Sequence, residues 1–166
     1  MLKWTDRKFN FDFPTSMMPI ILVRLKGTTA RLEEMTRNMS DEKLKARPGS
    51  GWSVKEHIGH LIDLEALHEG RIEDYRNNLP LLRMADMSNE KTYSAGHNSK
   101  NCRDLIAELK TVRSHFIHNL KTLKPDQSSQ HPRLKQPMRV VDMAFFVAEH
   151  DDHHLEIIDR MIQNAD

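Results

Sequence analysis

One cysteine, Cys102, in 166 residues excludes an internal disulfide and a cysteine-based zinc finger. There is no excess of charge of either sign. The 25 Lys+Arg and 24 Asp+Glu leave a net +1 with histidine neutral, so electrostatics make no case for nucleic acid or an anionic membrane surface. No apolar run approaches the roughly 20 residues that span a bilayer. The N-terminus shows no basic segment followed by an apolar stretch and a small-residue cleavage site, so a cytoplasmic protein is expected. Sustained period-2 alternation, internal repeats and low-complexity tracts are also missing. A hydrophobic share of 38% with 30% charged residues suits one core of long helices with solvated outer faces, in a single domain over residues 1–166. Histidine is what the chain has in plenty: 10 of them, without the contiguous run of an expression tag.

Period-3.6 patterning predicts four long helices. Met1–Phe13 reads as an irregular aromatic arm (Trp4, Phe9, Phe11, Phe13) packed over the body. The first helix runs from Pro19 to about Asn38, with Gly27-Thr28-Thr29 marking a bend or close packing. The second opens on Ser53-Val54-Lys55-Glu56, a capping box, and runs to about Asn77. Residues 80–101 are polar and irregular, long enough for a functional loop that walls a site. The third helix covers about Asn101–Leu123, residues 126–137 form a second loop, and the last helix runs from about Arg139 to Gln163. This pattern reads as an all-α four-helix bundle.

On a wheel of about 100° per residue, Met143, Phe146, Val147, His154, Ile157 and Met161 fall within about 60° of His150. His150 and His154 therefore lie in the apolar stripe one turn apart, where two imidazoles can converge on one metal ion. His153 sits at the stripe's edge, and Asp152 should face solvent. On the second helix the inward face carries His57, His60 and His68 among Val54, Leu61 and Leu64, so a third ligand is available there. Three neutral imidazoles leave a coordination position for water or substrate, as catalytic sites do. A fourth ligand from His57, His153 or Asp151 would instead make the site structural.

His57, His68 and Asp63 are candidate general bases, and Asp63, Glu56 and Asp151 are candidate carboxylates for orienting the ligands. Arg71 reads as a solvated helix charge more readily than as an anchor for an anionic substrate. His115 and His118 read as surface residues, and nothing in the sequence ties His97 or His131, both in loops, to the site. Cys102 lies at a helix N-terminus, which can lower a thiol pKa, though a lone cysteine is more often inert.

Two stretches, Gly51-Trp52-Ser53-Val54-Lys55-Glu56-His57-Ile58-Gly59-His60-Leu61 and Ala148-Glu149-His150-Asp151-Asp152-His153-His154-Leu155, resemble the DinB-like superfamily of bacterial four-helix metalloproteins. The resemblance extends over most of the chain, including Arg31-Leu32-Glu33-Glu34. It implies a bundle of the DinB/YfiT-like type with a divalent metal, zinc or nickel, held by His60, His150 and His154. The ligand on the second helix is then His60, eight positions after Trp52, rather than His57. The resemblance further implies a small-molecule substrate, homodimers, and thiol-dependent chemistry like that of bacillithiol S-transferases and a mycothiol-dependent maleylpyruvate isomerase. Metal-dependent hydrolysis is the second expectation. A non-catalytic metal-binding or interaction bundle is the third.

Overall fold

Local chemistry sets where each helix of this chain begins. A computed structural model describes residues 3–164. In α1, Met18–Thr36, Pro19 occupies the first turn, where its missing N–H costs nothing. The short α2, Asp41–Lys45, is capped by Ser40. At the start of α3, Val54–Arg76, the Ser53 hydroxyl accepts the Glu56 N–H at 3.1 Å, and the Glu56 carboxylate accepts the Ser53 N–H at 2.9 Å. After the short α4, Glu90–Ser94, come α5, Cys102–Leu120, capped by Asn101, and α6, Val140–Gln163, where Asp142 accepts the Arg139 N–H. The four expected helices are met to within a turn at each end. Gly27 lies inside unbroken helix, and nothing stands within 4 Å of where its Cβ would be, so close packing does not account for it.

α1 packs on α5 and α6, and α3 packs on the same two helices, so α1 faces α3 and α5 faces α6 across the diagonals. The core has two apolar clusters. One gathers Met18, Ile21, Leu25, Tyr75, Phe116, Val141 and Phe146, and the other Leu32, Val54, Ile58, Leu61, Leu105, Leu109 and Ile158. α1 and α6 begin in the first cluster, whereas α3 and α5 both begin in the second. The chain must therefore travel back along the bundle between α3 and α5, and residues 77–101 do this as a crossover carrying α4. It covers the outer side of α3, which is why that helix is buried nearly all round rather than solvated on one face.

Between the clusters lies an ionic layer with one residue from each long helix. Arg113 of α5 donates to Glu65 of α3 at 2.7 Å and pairs with Asp151 of α6, which also accepts from Thr28 of α1 at 2.7 Å. All four are 3% exposed or less, so no water competes for these bonds. Asp152, expected to face solvent, instead joins Arg24 and Arg31 along the α1–α6 seam.

The aromatic arm packs over the body as expected, with Trp4 and Phe9 on Phe146 at 5.0 and 4.9 Å between ring centroids. The second loop is more ordered than expected. Ser128–Gln130 (β1) and Pro137–Arg139 (β2) pair antiparallel, at three residues each too short for alternation to register in the sequence. Among the described residues, no helix is long and apolar enough to cross a membrane.

Candidate metal centre

His60 projects from α3 and His150 and His154 from α6, and one nitrogen of each lies within 4.8 Å of the other two. The Nε2 atoms of His150 and His154 are 3.2 Å apart. Ligands at about 2.0–2.1 Å from a tetrahedral zinc ion stand about 3.3 Å from one another, so the spacing suits a shared cation. With both Nε2 atoms bare, a shared cation is also what would relieve their facing lone pairs; the other tautomer of His150 instead places an N–H between the two rings. Burial, reinforced by neighbouring imidazoles, holds His150 and His154 well below the usual histidine range and His60 at about 4. All three are therefore neutral at pH 7, the form in which imidazole donates a lone pair.

Their outward nitrogens explain the orientation. Thr92 of α4 donates its hydroxyl to Asp63 at 3.0 Å, so its oxygen is left to accept from His60 Nδ1 at 3.1 Å, and His60 turns a bare Nε2 inward. Asp63 also accepts from His97 Nε2 at 2.9 Å. Burial would raise the Asp63 carboxyl, but His97 and Thr92 hold it below the usual carboxylate range. His154 Nδ1 lies 2.8 Å from His57 Nδ1, and a proton on His154 there again leaves Nε2 bare. His57, pushed down to about 4 by burial, is the neutral acceptor. The His150 Nδ1 is buried without a hydrogen-bond partner, and its ring stands edge-on to Trp4 at 4.8 Å.

The crossover supplies this support because α3 has a glycine at the contact. A Cβ on Gly59 would lie 2.1 Å from His97 Cγ, so the ring packs where only glycine leaves room. The three imidazoles open onto a cavity of about 250 Å³, lined on its apolar side by Trp4, Trp52, Leu64, Leu67, Phe146 and Val147.

The candidate ligands come together as expected, and the remaining candidates divide. Neither His57 nor His153 joins them: His57 backs His154, and His153, which lines the cavity, meets Arg7 at 3.3 Å. Asp151 is held by Arg113 and Thr28, so no fourth protein ligand among the described residues closes the site. Glu56 serves its capping box and Arg47, not a ligand. Asp63 supports His60 through Thr92 and does not line the cavity; His68 does.

Arg71 is 3% exposed and lines the cavity, contrary to its reading as a solvated charge. His97 and His131 were not tied to the site by sequence, yet both are buried, one behind His60 and the other in the cavity wall. Their place depends on where loops fold back, which local sequence does not encode. His115 and His118 are exposed as expected. Cys102 lies in the second apolar cluster, where burial raises its thiol pKa, so it is not an activated nucleophile.

A search of curated proteins finds no sequence match. Among solved structures, the chain is similar to YfiT from Bacillus subtilis, with a TM-score of 0.75 at 18% identity over 96% of this chain and 93% of that one. YfiT is described as "a probable metal-dependent hydrolase with an unusual four-helix bundle topology", and the diagonal succession of α1 and α3 and the crossover to α5 fit that likeness of fold. The DinB superfamily model matches residues 24–158, a span that contains all three converging histidines, the whole of α3 and most of α6. With most of its length and the greater part of every long helix inside that match, the chain belongs to the DinB superfamily.

Proposed function

We propose that the protein is a metal-dependent enzyme that transfers a low-molecular-weight thiol to a small electrophile. The observation that carries the reading is three neutral imidazoles converging on the wall of a cavity with no fourth protein ligand among the described residues. A structural site would be closed on all sides by protein. A divalent ion, zinc or nickel, held there supplies Lewis acidity that lowers the pKa of a thiol or water beside it.

The chain's own residues favour the thiol. Asp86 is the only carboxylate among the described residues that lines the cavity, and it is exposed and occupied by Ser88. A water nucleophile attacking an ester or amide profits from a general base, whereas a thiol, with its lower pKa, needs less help to ionise. In the overall exchange a thiol and an R′–X electrophile form an S–C bond as the C–X bond breaks, and X leaves with the thiol's proton. The apolar wall of Trp52, Leu64, Leu67 and Phe146 limits water, which protects the thiolate and the electrophile from side reactions. Hydrolysis is the second reading, supported by the description of YfiT and by His68, which lines the cavity with its Nδ1 3.6 Å from the Glu65 carboxylate.

Elemental analysis of untagged protein should find about one divalent ion per chain, and His154→Ala should lose it while the helical fold persists. Metal-loaded protein should accelerate conjugation of bacillithiol, mycothiol, coenzyme A or glutathione to a model electrophile, and His154→Ala should not. Full metal retention in the variant would sink the ligand assignment. Acceleration of ester or amide hydrolysis, with none of conjugation, would move the assignment to the second reading.

A further inference from the structure

The far end of the same cavity holds a cation that no carboxylate among the described residues pairs with directly; Asp74 acts on it only through space. Arg71 follows His60 by eleven residues on α3, about 16 Å of helix axis. Its Nε and Nη2 donate only to the Arg83 carbonyl, each at 3.3 Å, and among the described residues it takes part in no ion pair. The nearby Asp74 is committed to Arg83, through the backbone N–H at 2.8 Å and the guanidinium at 2.7 Å. Burial pushes Arg71 down to about 10, which still leaves it charged at pH 7. A buried guanidinium without an anion pays for desolvation and recovers little of it, which is why buried charges are normally paired.

A second observation points to the same place. His131, in the β1–β2 loop, is 3% exposed and lines the cavity. Its Nδ1 accepts the backbone N–H groups of Arg133 at 3.3 Å and Leu134 at 3.1 Å, so the ring proton is on Nε2. That Nε2–H is buried with no partner. Hydrogen bonds between His131 and Gln136 and between Lys135 and His131 fix the loop backbone, so the orphan donor is held in place. Arg133, also without an ion pair among the described residues, lines the cavity beside it.

We propose that Arg71 and His131 form a carboxylate-binding subsite that anchors one end of an apolar-bodied substrate whose reacting end lies at His60, His150 and His154. The carboxylate would take the free edge of the Arg71 guanidinium and the His131 Nε2–H, giving the first a counter-anion and the second its missing acceptor. Leu64 and Leu67, between His60 and Arg71 on α3, line the cavity together with Met84, Met87, Phe146 and Val147, and this apolar lining calls for an apolar spacer. A carboxylate is favoured over a phosphate dianion because the two buried donors, one guanidinium edge and one neutral N–H, match a planar monoanion, whereas the half-buried Arg133 shares its charge with solvent. This inference rests on the proposed function for the identity of the reacting end but not for the anion site itself.

The test is calorimetric binding of 4-phenylbutyrate and its neutral amide to the metal-loaded protein, with metal content measured on the same samples. The acid should bind on the order of 10- to 100-fold more tightly than the amide. Arg71→Gln should abolish that preference. His131→Asn should weaken acid binding about tenfold, because the Asn side-chain oxygen can still accept the two backbone N–H groups while the Nε2–H donor is lost. Metal content should be unchanged in both. Equal binding of acid and amide to the native protein would overturn the proposal. So would full acid affinity in a folded Arg71→Gln or His131→Asn, which would place the carboxylate on the metal. Arg71-dependent acid binding in protein that retains no metal would keep the subsite and refute the metal reading. Displacement of the acid by the thiol, and not by the electrophile, would assign the carboxylate to the thiol; the reverse would assign it to the acceptor.

Discussion

Replacing Gly59 by alanine should lower stability even though alanine is the better helix former. The added Cβ would lie 2.1 Å from His97 Cγ, 2.3 Å from Cδ2 and 2.4 Å from Nδ1, against a buried ring rather than the far end of a flexible chain. Restoring a carbon–carbon separation of about 3.5 Å requires the ring to withdraw by about 1.4 Å. The 2.9 Å bond from His97 to Asp63 does not survive that movement. Losing a hydrogen bond to a charged group costs about 1.5–3 kcal/mol, and Gly→Ala in a helix returns about 0.8–1 kcal/mol. The net is a loss of about 0.5–2 kcal/mol, measured by urea denaturation followed by circular dichroism. The decisive comparison is the same substitution in a His97→Ala background, where the clash is gone. There Gly59→Ala should stabilise by about 0.8–1 kcal/mol, so the sign reverses between backgrounds. Stabilisation in both would refute the reasoning. Because His97 and Thr92 share Asp63 behind His60, the single variant should also bind metal about 10- to 100-fold more weakly.

Two further outcomes follow from charge and from aromatic placement. Burial alone would raise Glu65, but Arg113 holds its carboxyl below the usual 4.5, so its contribution to stability is present above that value and is lost as pH falls through the lower folded value. Urea titrations should therefore show Glu65→Gln least stable relative to the native protein at pH 7, with the gap closing towards pH 3; a gap independent of pH would contradict the assignment. Both tryptophans of the chain lie beside the converging histidines, Trp52 4.6 Å from His60 and Trp4 4.8 Å from His150, by ring centroids. Loading with paramagnetic copper(II) should quench most of the intrinsic fluorescence, Trp52→Phe should leave the Trp4 fraction to be quenched, and His154→Ala should quench neither.

What could be read in the sequence was local. The Ser53–Glu56 box, Pro19 and the i, i+4 pair of His150 and His154 each depend on neighbours within one or two turns, and each is present in the structure. Choosing His60 over His57 needed the family resemblance, since both lie on the inward face of α3. The parallel run of α3 and α5 was hidden because it depends on which apolar stripes meet. The supporting residues were hidden for the same reason: Thr92 and His97 reach His60 only after the crossover folds back, and His131 enters the cavity only through the hairpin turn. The solvated appearance of Arg71 in the sequence came from the same omission, since the crossover and the hairpin loop are what bury it.

The ionic layer and the candidate metal centre meet in one turn of α6. Asp151 lies between His150 and His154 in sequence but points to α5 and α1, while the two histidines point to α3. Successive residues of a helix are about 100° apart, so one rotational setting of α6 must satisfy both directions at once. A buried ion pair is a poor source of net stability, because an apolar layer of similar volume often does as well. What it does supply is a penalty for rotation. Turning or sliding α6 strips Asp151 from Arg113 and Thr28 in a region without water to replace them. The same movement would carry the His150 and His154 nitrogens away from His60. The four-helix layer thus holds α6 in the one orientation in which the three imidazoles converge, and ligand geometry is set from behind by groups that never touch the cavity.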